Sequence, residues 1–181
     1  MNDKIRQKNK GLNARDCAYI AVFVALVIAM QLALFVVPGV ELVTVMFVAF
    51  SFAFGTKRGM IAATVFAILR QFVFGIVPTV LVLYLIYFNL LACVFGLLGG
   101  KVQPTVKNLV WLTLVACVCT MTFTMLDNIL TPLWYGYTMS AMKVYFHASL
   151  PFMIPQILCT AVSVGVLFLP LTRIFKWINR F

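Results

Sequence analysis

The sequence predicts an all-α membrane protein, a bundle of six transmembrane helices in a single domain over residues 1–181. Three observations predict it. Charged residues make up only 10% of the chain against 64% hydrophobic, where a soluble domain carries roughly 25% charged residues. The mean hydropathy is +1.09. Apolar residues also gather in six runs of spanning or near-spanning length, and the basic residues collect in alternate connections.

The elements follow in order. The stretch "MNDKIRQKNKGLNARD" is a basic head, assigned to residues 1–15, that leads into the first apolar run, 16–37. That run is too long for a signal-peptide core and no convincing cleavage site follows it, so it is expected to remain as the first span. Ala14 and Ala18 lie four apart, as do Ala21, Ala25 and Ala29. Four-residue spacing keeps each set near one face, where small side chains let another helix approach closely, inside the bundle or from a partner.

The second run, 40–55, amounts to about 24 Å of helix, short of the roughly 30 Å hydrocarbon core. It is therefore expected to begin inside the protein, to tilt little or to be partly non-helical. Runs 58–76, 79–99, 108–131 and 149–172 are the remaining spans. Between the last two lies "PLWYGYTMSAMKVYFHAS", residues 132–149, an outer loop with room for a lid. Its Trp134, Tyr135, Tyr137, Tyr145 and Phe146 suit interfacial anchors or the cover of a pocket. No internal repeat or low-complexity tract interrupts the pattern.

Charge sets the orientation. Of fourteen Lys and Arg residues, Lys4, Arg6, Lys8, Lys10, Arg15, Lys57, Arg58, Lys101, Lys107, Arg173, Lys176 and Arg180 fall on one side, leaving Lys143 on the other and Arg70 within a span. The positive-inside rule then places both termini in the cytoplasm. The net charge of +10 is scattered in short loops and tails, with no basic stripe interleaved with aromatics, so nucleic acid is not expected as a partner. The five cysteines lie in apolar stretches without a CxxC pair, and the one histidine, His147, is distant from all of them. Neither a metal site nor a cofactor is expected.

Polar groups inside the apolar runs are the candidate functional residues, because a charge at bilayer depth normally faces protein or water. Asp127 stands five residues before Pro132, about 8 Å below the outer end of its span. Arg70, five residues before Gly75, has a similar depth, and Glu41 opens the second run. Asp127 and Arg70 suit either a structural salt bridge or a ligand site. Asn89, Asn128 and Gln71 add hydrogen-bonding groups that serve binding or helix packing. Tyr84 and Tyr87, three apart on one helix face, suit packing or stacking on a ring. Pro151 and Pro155 free backbone carbonyls near the start of the sixth span, which is tolerated where a helix lines a cavity. An enzyme is not expected: no H-E-x-x-H, G-x-S-x-G or Glu–Glu pair is present, and no Walker A sequence.

The six spans, the basic head, the alanines four apart and the polarity at the outer end together resemble the substrate-binding S components of energy-coupling factor (ECF) vitamin transporters. The resemblance covers essentially the whole chain. Ala21-x-x-x-Ala25-x-x-x-Ala29 is similar to the family's small-residue motif, and "PGVELVTVMFVAFSFAFGTKRG" looks like the entry to span two in some members. The resemblance implies a vitamin-capturing subunit in the cytoplasmic membrane of a prokaryote. Its alanine surface, Ala14 and Ala18 included, would dock the transmembrane T component, and two cytoplasmic ATPases would supply the energy. It nominates Glu41, Tyr84, Tyr87, Asn89, Asp127, Asn128, Trp134 and Tyr137 as pocket residues, and Arg70 joins them on depth alone. Carboxylates and aromatics suit a flat ring, cationic ones included, through stacking and cation–π contact. Thiamine-like, flavin-like, deazaguanine-like and cobalamin-type compounds all belong to that range, with Glu41 leaning toward the cobalamin type. Two rival readings are a structural membrane component of a cell-wall elongation complex and a stand-alone secondary transporter.

Overall fold

The computed structural model describes residues 12–35 and 42–180. Glu41, four basic residues of the head and the N-terminal part of the second run lie outside them. Among the described residues the protein is all-helical, with six helices and no strand. They are α1 (Ala14–Leu34), α2 (Val43–Phe54), α3 (Thr56–Phe74), α4 (Pro78–Gly99), α5 (Val106–Trp134) and α6 (Met139–Ile178). Four of these, α1, α4, α5 and α6, are long and apolar enough to cross a bilayer. The chain is thus a multi-pass membrane protein.

The outer surface agrees with that solvent. Val22 and Leu26 of α1, Ile86 and Leu90 of α4, Val110, Leu114 and Val118 of α5, and Leu158, Val162 and Val166 of α6 all stand exposed. Apolar rows of this extent would be a liability in water and are at home against lipid tails.

The second run explains itself once its neighbours are known. α2 has twelve residues, and all but Ala53 are buried. A helix apolar on every side belongs inside a bundle, and α2 packs against each of the other five. Phe47 meets Phe23 of α1, Phe66 of α3 and Phe88 of α4 at ring distances of 5.2, 5.2 and 4.8 Å. Phe50 stacks on Phe23 at 4.0 Å, and Phe52 meets Phe168 of α6 at 5.2 Å. At about 18 Å, α2 is too short to span; it is the core around which longer helices stand. α3, with 19 residues including Lys57, Arg58 and Arg70, is longer but more polar.

Glycines let the backbone close around this core. Gly55, at φ +86° and ψ 171°, turns the chain from α2 into α3 in a region that side chains essentially never occupy. Gly96 and Gly99 of α4 run against the same junction. A Cβ at Gly96 would collide with the Thr56 backbone, and one at Gly99 with the Phe52 carbonyl.

The junction is also where the first and last helices are tied. Arg58 pairs with Asp16 of α1 at 3.0 Å and donates to Asn179 Oδ1 at 2.9 Å. Asn179 in turn donates to the Ala53 carbonyl at 3.2 Å. Lys57, Lys101, Lys107, Arg173, Lys176 and Arg180 belong to this same basic end. The opposite end carries the α3–α4 and α5–α6 turns.

The four expected spans that match α1, α3, α4 and α5 have bounds within three residues of the helices. The last connection differs. Residues 132–149 do not form a loop: α5 continues through Pro132 to Trp134, and α6 begins at Met139, leaving only 135–138 as the turn. Gly136 at φ +65° makes that turn, and Thr138 caps α6 by accepting from the Ala141 N–H at 3.4 Å. Pro151 and Pro155 do not break α6. A proline removes one hydrogen bond, and a helix packed along its length against α5 tolerates that loss.

Candidate functional site

Polar side chains line the seam between α5 and α6, and helical spacing puts them there. On α5, Thr120, Thr124, Asp127, Asn128 and Thr131 recur at intervals of three and four, so they share one face. On α6 the facing set is Tyr145, Ser149, Gln156 and Thr160. Deep in the seam the Thr120 and Thr160 hydroxyls lie 3.0 Å apart. One turn nearer the α5–α6 turn, Thr124 donates to Gln156 Oε1 at 3.3 Å. Next, Asn128 donates to Ser149 Oγ at 2.8 Å, and Ser149 Oγ donates in turn to the Phe146 carbonyl at 2.8 Å. Such bonds glue helices where lipid offers no competing partner.

Asp127 is the charged member. Thr131 Oγ1 donates to its Oδ1 at 2.7 Å, and Tyr145 OH donates to its Oδ2 at 2.9 Å. Both oxygens therefore act as acceptors, the role of a carboxylate. No cation pairs with Asp127 among the described residues, whereas Asp16 pairs with Arg58. The expected alternative of an Asp127–Arg70 bridge does not form. Arg70 instead sits between two rings, 4.7 Å from the centre of Phe74 and 4.5 Å from that of Tyr84. Its Nε is buried without a hydrogen-bond partner.

Beside Asp127 the seam opens into a cavity of about 330 Å³. Phe123, Tyr145 and Phe152 give it aromatic walls, while Thr124, Ser149 and Gln156 supply polar atoms. That volume lies at the small end of ligand pockets, and the mixture of apolar walls with a few convergent polar groups is their usual make-up. A second cavity of about 340 Å³ lies around Asn128, Met142, Lys143, Phe146 and His147. There His147 Nδ1 meets the Lys143 carbonyl at 2.7 Å.

The residues nominated from sequence separate into groups. Asp127 lines the first cavity and Asn128 the second. Tyr84 and Tyr87 are core residues, only 8% and 2% exposed, but they touch the cavity wall through Phe123 at ring distances of 5.9 and 4.8 Å. Arg70 reaches the same wall one ring further on, through Tyr84. Asn89 lies elsewhere, exchanging hydrogen bonds with Thr64 across α3 and α4 and donating to the Leu85 carbonyl at 2.8 Å. Trp134 is exposed at the end of α5, and Tyr137 packs edge-on to Tyr145 at 6.2 Å. Ala14, Ala18, Ala21, Ala25 and Ala29 are all exposed, on the face of α1 opposite its buried Ile20, Phe23, Val24 and Val27.

Seven contributors to the seam escaped the nomination: Thr120, Thr124, Thr131, Tyr145, Ser149, Gln156 and Thr160. The α5 threonines carry a readable signal, the three-and-four spacing from Thr120 to Thr131. Of the α6 residues Tyr145 carries one, as an aromatic suited to anchor or cover a pocket, and the others carry none without knowing that α6 is helical from Met139 onward. Among the described residues no group of three His, Cys, Asp or Glu side chains is arranged to hold a metal, and the five cysteines form no disulfide. No family model matches the chain, and no curated protein or solved structure matches it significantly.

Proposed function

We propose that this chain is the solute-binding membrane subunit of an ECF-type importer, capturing a vitamin-like micronutrient in the cavity beside Asp127. The observation that carries the reading is that cavity. It joins a carboxylate bound only by hydroxyls to three aromatic walls and three polar side chains, at the end opposite the basic residues. A helix–helix scaffold has no use for a carboxylate without a cation, since charge at bilayer depth costs at least a few kcal/mol. With all six helices read as crossing or entering the bilayer, the basic end faces the cytoplasm by the positive-inside rule, and the cavity faces outward.

The alanine rows of α1 support the second half of the reading. They form an open surface of small side chains on which a T component docks, with two cytoplasmic ATPases driving transport and the prokaryotic cytoplasmic membrane as the site. The chain itself then uses no cofactor and catalyses no reaction. The test is mass spectrometry of small molecules released by denaturing the gently purified full chain. One compound at near-stoichiometric yield is expected. An empty chain that co-purifies with cell-wall proteins would overturn capture in favour of the scaffold.

A further inference from the structure

Resting on that reading, the electrostatics of the cavity assign a ligand class. We infer that the Asp127 cavity selects a compact organic cation, a positively charged nitrogen centre carried on a small ring or methylated framework. The argument is one of uncompensated charge. The other described carboxylate, Asp16, has its cation in Arg58 at 3.0 Å. Asp127 has two neutral hydroxyl donors and, among the described residues, no cation.

Among the described residues none of the nearby basic groups forms an ion pair with Asp127. The Arg70 guanidinium is held between the rings of Phe74 and Tyr84. Lys143 and His147 belong to the second cavity, where the His147 ring is tied to the Lys143 carbonyl. In a chain of net charge +10 with four acidic residues, a carboxylate left without a cation stands out. Thr131 and Tyr145 satisfy its hydrogen bonding but leave its charge, which at a half-buried position between two helices attracts a cation more strongly than it would in bulk water.

The walls favour the same class. Phe123, Tyr145 and Phe152 present aromatic side chains around the carboxylate, and ring faces attract a desolvated cation through their quadrupoles. An anion would meet the carboxylate, and a neutral solute would leave its charge uncompensated. The volume of about 330 Å³ sets the scale: a single or fused small ring system rather than a macrocycle.

The test uses the full chain in lipid nanodiscs and two probes of one shape, choline and its uncharged carbon isostere 3,3-dimethylbutan-1-ol. Binding is read by saturation-transfer NMR and titration. Choline is expected to bind at least about tenfold more tightly than the isostere, and Asp127→Asn is expected to erase the difference. Asp127→Glu, which keeps the charge, is expected to retain a preference for choline. Equal binding of the two probes, unchanged by Asp127→Asn, would overturn the cation assignment and leave capture in the cavity standing. Binding of neither probe would also overturn it; if the denatured chain then releases no small molecule, the capture reading falls with it.

Discussion

At the scale of single residues, the account depends on what surrounds Asp127. Its two oxygens accept from Thr131 and Tyr145, so its removal changes both a charge and a small network. Asp127→Asn is expected to weaken binding of the captured solute by at least about tenfold, or roughly 1.4 kcal/mol, with helix content by circular dichroism unchanged. Tyr145→Phe leaves the carboxylate in place but takes away one donor. Hydrogen bonds to charged groups contribute about 1.5–3 kcal/mol, and Tyr145 is only partly buried, so a loss near the lower figure is expected. It would be read as faster hydrogen exchange over residues 139–149. Exchange identical to wild type would mean that Tyr145 does not hold this part of α6 to α5.

At the scale of elements, the decisive features are the buried α2, the α5–α6 seam and the open face of α1. Gly96 and Gly99 run along the α2–α3 junction with no space for a Cβ. Gly99→Ala should therefore push α4 away from Phe52 and cost about 1–3 kcal/mol, seen as a lower unfolding midpoint in detergent. For α1, Ala21→Leu and Ala25→Leu add bulk to residues that are exposed. Solute binding should survive, while assembly with a membrane partner, measured by co-purification, should fail. Loss of solute binding instead would mean that this face is packed within the protein.

Much of this was readable in the sequence. Apolar runs marked α1, α3, α4 and α5 closely, because length and hydropathy alone define a lipid-solvated helix. The shortness of the second run marked it as unusual and left a start inside the protein, little tilt or partly non-helical backbone open, while the central place of α2 depends on Phe47, Phe50 and Phe52 finding partners on other helices. The start of α6 was not readable. Aromatic and polar residues between Pro132 and Ser149 look like a loop, and only packing against α5 shows that they continue a helix. For the same reason Asp127 was legible as an anomaly in an apolar run, whereas Tyr145, 18 residues away, was legible as an interfacial anchor or pocket cover but not as its partner. The bridge to Arg70, one of the two alternatives that depth left open, does not form because Arg70 lies against the rings of Phe74 and Tyr84 instead.

At the scale of the whole molecule, the protein is polarised from end to end. Arg58, Asp16 and Asn179 tie three helices together at the basic end, and the cavity lies toward the opposite end. The α6 helix, with 40 residues, is about 60 Å long, twice the hydrocarbon core, so part of it must leave the lipid or lie along its surface. If the basic end is cytoplasmic, an impermeant thiol reagent applied to intact cells should label a cysteine placed at Lys143 but not one placed at Lys57, in a background with the native cysteines replaced. The reverse pattern would turn the molecule over and close the cavity to external solute.

The most direct test of the central claim is a crystal structure of the full chain purified gently, with its endogenous small molecules retained. The account predicts density for a compact molecule against Asp127, between the rings of Phe123, Tyr145 and Phe152. A bound molecule located elsewhere in the protein, with the space beside Asp127 empty, would contradict it.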